Sequence, residues 1–225
     1  MKVLVTGGSG TLGKKIVELF LNEGYEVIYT YYKNNVSING AKGIYCDVSN
    51  EEDVKKIFLE IDNLDVIVNN AGISIDNTLE DKSSDEFRKV LDTNLVGVFN
   101  VIKYGSKKMK KGSIINIAST NGIDTGYELS MDYDASKAGV ISLTHNMAKS
   151  LAPNIRVNCV APGWINTNMN KDMYPPFKKE EEGKILLKRF ADASEVAEVV
   201  YFLASSKASY INDAIIRVDG GIRWC

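Results

Sequence analysis

The amino-acid sequence predicts an α/β fold: a doubly wound parallel sheet of about seven strands, covered by helices on both faces in three α/β/α layers. Two observations support this class. Short apolar runs rich in β-branched residues recur along the 225 residues, with helical stretches between them. Most of these runs are continuously apolar, as expected for strands that are buried on both faces. The alternation predicts right-handed crossovers between parallel strands.

The individual elements follow one another at the spacing of βα units. The predicted strands are residues 2–6, 26–31, 43–46, 65–69, 113–118, 155–160 and 214–218. The predicted helices are residues 12–23, 51–60, 85–108, 133–151 and 194–204. The connection 32–42 is too short for a helix with its loops, so we expect a turn there. Ser49 and Glu52 match a capping box at the start of the second helix.

Composition and charge describe an ordinary globular chain and exclude several functions. No linker-like tract divides the sequence, so we expect one domain over residues 1–225. The net charge of −2 gives no electrostatic footprint for nucleic acid or membrane. No apolar stretch approaches the ~18–20 residues that span a bilayer. Cys46, Cys159 and Cys225 fit neither a disulfide framework nor a metal pair, which favours a reduced, cytoplasmic setting without a metal site.

A glycine-rich turn lies between the first predicted strand and the first predicted helix. It consists of Gly7, Gly8, Ser9, Gly10, Thr11, Leu12 and Gly13. Glycines let the backbone turn tightly and approach a pyrophosphate, whose charge is stabilised at a helix N-terminus. This context predicts a dinucleotide-binding loop, with a purely structural turn as the alternative.

The chain resembles the short-chain dehydrogenase/reductase family over almost its whole length. Seven segments match in family order: 6–13, 65–72, 92–99, 114–120, 133–137, 156–167 and 215–221. The resemblance is strongest with the 3-oxoacyl-(acyl-carrier-protein) reductase branch. It implies a Rossmann-type fold and NAD(P)-dependent chemistry on carbonyl and alcohol groups. One departure is Thr11, where the single-domain branch usually has glycine.

Tyr133 and Lys137 are four residues apart on a predicted helix, so their side chains lie on one face. A nearby ammonium and a cationic nicotinamide favour the phenolate, so we expect the pKa of Tyr133 to lie below its ordinary value of ~10. The resemblance implies that Tyr133 donates a proton to the carbonyl oxygen, while Lys137 tunes it and holds the ribose. It also implies that Ser119 bonds the same oxygen and that Asn94 orients a water. The alternatives are a surface Tyr–Lys pair, a strand-end cap and a solvated asparagine.

The choice of cofactor depends on the end of the second predicted strand. Enzymes of this fold that use NAD usually have an acidic residue there, which binds the ribose 2′-hydroxyl. Here no acidic residue occurs from Tyr29 to Ile44, and Tyr32 and Lys33 follow the strand. NADP(H) is therefore favoured and NAD(H) stays open, since Gly10 stands where many NADP-using relatives have a basic residue. The resemblance implies further cofactor contacts by Asp47, Val48, Asn70, Ala71, Gly72, Ile165 and Thr167.

The sequence leaves the substrate open. Reduction of a carbonyl to a secondary alcohol, on a 3-oxoacyl thioester of acyl carrier protein, fits the resemblance best. A reductase or dehydrogenase of a small ketone, sugar or pteridine-like ring is the first alternative, and a non-catalytic dinucleotide-binding regulator is the second. An enoyl reductase would typically space its Tyr and Lys more widely. A cluster after a long helix either docks an acidic carrier protein or complements the helix dipole: Lys107, Lys108, Lys110 and Lys111.

The helices predicted over 85–108 and 133–151 have more apolar residues than one buried face needs. We therefore expect a homotetramer, or at least a dimer. The family resemblance implies that these two helices pair in a four-helix interface about a two-fold axis. The small residues Gly97, Gly139 and Ala148 would permit the close approach of a partner helix. The alternative is that the extra apolar residues cover the sheet edge left bare by the short connection.

Overall fold

The computed structural model describes residues 1–34, 36–124, 126–167 and 173–222. The strands are β1 Lys2–Val5, β2 Glu26–Tyr31, β3 Ala41–Tyr45, β4 Val66–Asn69, β5 Gly112–Ile117, β6 Ile155–Pro162 and β7 Ile215–Val218. The helices are α1 Thr11–Asn22, α2 Glu51–Leu59, α3 Ser84–Leu91, α4 Gly97–Gly105, α5 Met131–Leu151, α6 Pro175–Lys184 and α7 Ala193–Ala204. Each predicted strand is present within a few residues of its predicted bounds.

The strands form one seven-stranded sheet in the order β3-β2-β1-β4-β5-β6-β7, and all neighbours are parallel. On one face, α1 and α7 pack through residues such as Phe20 and Leu203. On the other face, α2, α4 and α5 pack through residues such as Phe58, Val101 and Val140. The predicted three-layer, Rossmann-type fold is therefore confirmed. The chain changes direction between β1 and β4, and in such sheets the crevice beyond the carboxyl ends at this point binds ligands.

The predicted helix 85–108 is not one regular helix. A π-helical turn, Asp92–Val96, separates α3 from α4. The prediction of one continuous helix over 85–108 missed this turn. The helix α6 was not predicted either. In the connection between β2 and β3, the described residues form bends and turns without a helix, as expected.

The predicted capping box at Ser49 is wrong. The residue that caps α2 is Asn50, whose side chain accepts hydrogen bonds from the backbone N–H groups of Glu52 and Asp53 at 2.9 and 3.2 Å. The Ser49 hydroxyl instead donates to the carboxylate of Asp47 at 2.6 Å. Because the Ser49 hydroxyl is bonded to Asp47, it does not cap α2. The cap lies one residue later, at Asn50.

The small residues that we expected to face a partner helix are used inside the chain. A methyl group on Gly97 would lie 2.7 Å from Val48, and one on Gly139 would lie 2.7 Å from Leu95. Ala148 is buried in the core. The two glycines therefore allow α4 to approach the loop after β3, and α5 to approach the π-helical turn, so the expectation that they admit a partner helix is wrong.

Buried cysteines and apolar residues fill the interior. Cys46 and Cys159 are free and buried, and burial raises the pKa of each thiol to about 12. They are small core hydrophobes, as predicted. Cys225 lies outside the described residues. Within the described ranges, no helix is long and apolar enough to cross a membrane.

Gly112 tests the close packing at the start of β5. A methyl group there would lie 2.1 Å from the carbonyl oxygen of Asp65. We expect Gly112→Ala to lower the free energy of unfolding by about 1–3 kcal/mol, because backbone on both sides must move apart. Gly183→Ala in α6 is the matched control: a methyl group there meets nothing within 4 Å, so no loss is expected. Denaturant titration of both variants is the measurement, and equal stabilities would contradict this account of the packing.

Candidate active site

The glycine-rich turn joins β1 to α1 in a conformation that needs glycine. Gly7 has a φ of +63°, and a methyl group on it would lie 2.9 Å from the Cα of Ala71. A methyl group on Gly13 would lie 2.2 Å from the carbonyl oxygen of Gly7. Gly10 precedes α1 and caps it without a side chain, and the first turn of α1 has no acidic residue. The positive end of the helix dipole is therefore compatible with an anion at this loop.

Hydrogen bonds tie this turn to the end of β4. The hydroxyl oxygen of Thr6 accepts from the backbone N–H groups of Asn70 and Ala71 at 3.0 and 3.1 Å. The side-chain amide of Asn70 donates back to the carbonyl oxygens of Thr6 and Gly7 at 3.0 and 3.1 Å. Thr6 was not among the predicted site residues, although its position between strand and glycine was a usable signal. The turn and the end of β4 thus form one rigid unit.

Asn94 lies in the π-helical turn and is fully buried. Its side-chain oxygen accepts from the backbone N–H of Ile73 at 2.8 Å, and its amide nitrogen donates to the carbonyl oxygen of Ile73 at 2.9 Å. The same nitrogen donates to the hydroxyl of Ser136 in α5 at 3.0 Å. Asn94 therefore connects the loop after β4 to α5, which rules out a merely solvated side chain. An amide oxygen has two lone pairs, so one remains for a further donor such as water.

Lys137 is almost completely buried beside this junction. Its ammonium donates to the carbonyl oxygen of Ile117 at 2.9 Å, and burial lowers the pKa of Lys137 to about 8. A methyl group on Gly72 would lie 3.3 Å from Asn94 Oδ1 and 3.5 Å from Lys137 Nζ. The two side chains therefore meet over Gly72, and the alternative of a surface Tyr–Lys pair does not apply.

The Ser119 hydroxyl lies close enough to the Tyr133 phenol to lower the pKa of that phenol. Ser119 lies two residues after the end of β5, and its hydroxyl accepts a hydrogen bond from the backbone N–H of Asn121 at 3.2 Å. The expected effect of the ammonium on the phenol is not found. Burial, together with the nearby Asp134 and Asp76, raises the pKa of Tyr133 to about 12 and outweighs the opposing effect of the Ser119 hydroxyl. The reason is geometric, because Lys137 Nζ lies 5.4 Å from the centre of the Tyr133 ring and points to Ile117.

The other residues predicted to contact a cofactor all lie beyond carboxyl ends of strands. Tyr32 and Lys33 are exposed after β2. Asp47 and Val48 follow β3, and Ile165 and Thr167 follow β6, where Ile165 pairs with Ala191. Ser9 and Gly10 belong to the turn after β1, and Leu12 lies in the first turn of α1. The predicted residues therefore line one edge of the sheet. Among the described residues, no group of His, Cys, Asp or Glu side chains is arranged to hold a metal ion.

The lysine cluster lies at the opposite edge of the sheet. Lys107 and Lys108 form a short turn directly after α4, and Lys110 and Lys111 lead into the amino end of β5. Ser119 follows the carboxyl end of the same strand, and six strand residues span roughly 20 Å. A carrier protein bound at these lysines would face away from Ser119. Their position favours the alternative, which is that they complement the dipole of α4.

The fold and the site define a dinucleotide-binding α/β oxidoreductase, and comparisons with known proteins agree. The family model described as enoyl-(acyl carrier protein) reductase matches residues 8–223. A 3-oxoacyl-(acyl-carrier-protein) reductase of Staphylococcus aureus is 38% identical over 97% of this chain and 96% of its own length. The ligand-free aldohexose dehydrogenase of Thermoplasma acidophilum is 33% identical, with a TM-score of 0.92 over 98% of this chain and 92% of its own. The structure of BdcA in complex with NADPH is 26% identical, with a TM-score of 0.93 over 99% and 96%.

This chain therefore belongs to the short-chain dehydrogenase/reductase family. It is an NAD(P)-dependent oxidoreductase that acts on carbonyl and alcohol groups. Membership disfavours a non-catalytic regulator, as does the burial of the polar groups around Tyr133. Ser136, which bridges Asn94 and the carbonyl oxygen of Tyr133, was not predicted. Its only sequence signal was its place between Tyr133 and Lys137.

Proposed function

We propose that this protein reduces a carbonyl to a secondary alcohol with NADPH, and that Tyr133 is the proton donor. The observation that supports this most is the placement of the Ser119 hydroxyl beside the Tyr133 phenol, next to the buried ammonium of Lys137. A carbonyl oxygen placed between the two hydroxyls would accept a hydrogen bond from each. A bound nicotinamide would supply the hydride to the carbonyl carbon.

The protonation state of the site suits the direction of reduction. With a pKa of about 12, Tyr133 is protonated at neutral pH and has a proton to donate. The Ser119 hydroxyl, which lowers the pKa of Tyr133, would stabilise the phenolate left behind. Lys137, with a pKa of about 8, is still charged at neutral pH. Its bond to Ile117 uses one of three N–H donors, which leaves two for ribose hydroxyls.

The proposed positions for the rest of the cofactor follow from the same edge of the sheet. The turn from Gly7 to Gly13 would hold the pyrophosphate at the start of α1. Asp47 and Val48 would flank the adenine, Asn70 to Gly72 the ribose, and Ile165 with Thr167 the carboxamide. The carbonyl oxygen of Val48 is fixed by the side chain of Asn100 at 3.2 Å, which supports a preformed adenine pocket.

The proposed substrate is a 3-oxoacyl thioester, because relatives with this sequence pattern include reductases of that substrate on acyl carrier protein. The likeness to an aldohexose dehydrogenase supports a second candidate, oxidation of a sugar. NADPH oxidation with an acetoacetyl thioester, beside a panel of small ketones and NADP⁺ reduction with aldohexoses, separates the two. Turnover of sugars alone would replace the first candidate by the second.

Tyr133→Phe tests the proton donor. We expect kcat to fall by about 10²–10⁴-fold, because the acid is removed, while the Kd of NADPH stays within about twofold. The matched control is Tyr45→Phe, since Tyr45 is half exposed on β3 at the edge of the sheet. Steady-state assay and fluorescence titration give the two constants. A Tyr133→Phe enzyme that turns over like the wild type would refute the mechanism.

Lys33 tests the preference for NADPH. We propose that this preference arises because an exposed lysine, and no carboxylate, follows the end of β2. We expect NADPH to bind about tenfold more tightly than NADH, consistent with a charge-assisted contact to the 2′-phosphate. Lys33→Ala should remove most of this ratio and leave the Kd of NADH unchanged. Lys42→Ala, an exposed lysine of β3 that pairs with Glu60, is the control. Equal affinities of the wild type for both cofactors would end the argument.

We also propose that the protein is a homo-oligomer, paired through the outer faces of α4 and α5. Phe99 of α4 is 42% exposed, and Val96, in the π-helical turn directly before α4, is 41% exposed. Sedimentation at micromolar concentration should give a dimer or tetramer, and Phe99→Asp should reduce its mass, because a charge is placed in an apolar interface. Leu59→Asp on α2, whose side chain is 81% exposed, is the control that should leave the mass unchanged. An active wild-type monomer would contradict the proposal.

A further inference from the structure

A buried ion pair lies directly before Tyr133. Lys82 Nζ is 2.8 Å from Asp132 Oδ2, and the two side chains are 3% and 0% exposed. Asp132 belongs to the first turn of α5, whereas Lys82 lies in the segment between β4 and α3. Removing two charges from water often costs more free energy than their attraction returns. Such a pair is therefore poorly explained by stability alone, and its place next to the proposed acid suggests a role there.

Among the described residues, two side-chain bridges connect the segment after β4 to α5, and this pair is one of them. Lys82 also donates to the carbonyl oxygen of Ile75, and Asp132 Oδ1 accepts the backbone N–H of Tyr133 at 2.9 Å. The second bridge is Asn94, which holds Ile73 and Ser136. Asp132 and Ser136 are one helical turn apart on the same face of α5. The two bridges therefore flank Tyr133 and fix its backbone against the loop.

We propose that Lys82 and Asp132 are positioning residues for Tyr133, which hold the first turn of α5 in place and keep the charge beside the phenol balanced. This inference rests on the proposed function of Tyr133 as the acid. Lys82 acts through Asp132, and neither residue needs to touch the substrate.

The effect of the Lys82–Asp132 pair on Tyr133 can be measured as a shift in the pKa of the phenol. From α5, the phenol has Asp134 and Lys137 as neighbours, and from the loop after β4 it has Asp76. The carboxylates of Asp134 and Asp76 already raise the pKa of Tyr133. Without Lys82, the buried carboxylate of Asp132 would be left unpaired one residue before the phenol. Removing the carboxylate of Asp132 instead would leave a buried ammonium, which favours the phenolate. The two single substitutions should therefore shift the pKa of Tyr133 in opposite directions. A loss of packing alone gives no reason for opposite shifts.

The deciding measurement is an ultraviolet titration of tyrosinate on the NADP⁺-saturated protein, with the Tyr133→Phe spectrum subtracted. Relative to wild type, we expect Lys82→Met to raise the midpoint of Tyr133 by about one unit and Asp132→Asn to lower it by about one unit. Lys15→Met is the matched control, because Lys15 and Glu18 are also 2.8 Å apart but half exposed. Midpoints that are unchanged, or that move in the same direction, would overturn the proposal.

A double variant keeps the proposal testable if the single variants fail to fold. Lys82→Met/Asp132→Leu removes both charges and leaves an apolar pair, which proteins commonly tolerate. We expect it to fold with a midpoint near wild type, while kcat with an acetoacetyl thioester falls about tenfold and the KM of NADPH is unchanged. Full kcat would exclude the positioning role. An active Tyr133→Phe enzyme would refute the proposed function itself. An inactive Tyr133→Phe enzyme, together with unshifted Tyr133 midpoints in Lys82→Met and Asp132→Asn, would refute only this inference.

Discussion

The parallel direction of all seven strands is the constraint on which the rest of this structure depends. Because every strand enters the sheet from the same edge, every loop after a strand leaves from the opposite edge. The reversal of the chain between β1 and β4 opens a crevice there. The glycine turn, the loop that contains Gly72, Ser119 and the start of α5 are thereby brought together although they are distant in sequence. The lysine cluster is at the other edge for the same reason.

Within this frame, buried polar side chains fix the loops. Thr6 joins the glycine turn to the end of β4, and Asn94 joins the following loop to α5. Both side chains bond backbone N–H groups of these loops, which have no neighbouring strand to pair with. Burial has a second effect, since it keeps Tyr133 protonated and lowers the pKa of Lys137 to about 8. Rigid loops and a proton held at the phenol are what a preorganised reductase site requires.

The sequence was sufficient for the features that depend on local pattern. Apolar runs predicted the strands, the glycine turn predicted the first loop, and family motifs predicted Asn94, Ser119, Tyr133 and Lys137 at one site. Features that depend on tertiary contacts were missed. The π-helical turn at Asn94 follows from the bonds to Ile73 and Ser136, which no periodicity shows. Lys82 and Asp132 are 50 residues apart in the sequence, so local pattern does not show that they pair. The need for glycine at position 139 arises from the tertiary contact with Leu95. The pKa of Tyr133 depends on burial, which the spacing to Lys137 does not reveal.

The central claim is that the glycine turn and the Ser119–Tyr133–Lys137 group serve one bound dinucleotide. A crystal structure of the NADPH complex tests it most directly, through the distance from Lys137 Nζ to the nearest ribose oxygen. The account predicts about 3 Å, with the pyrophosphate at the backbone N–H groups that begin α1. A complex in which Lys137 contacts only Ile117, with the nicotinamide away from Tyr133, would contradict it.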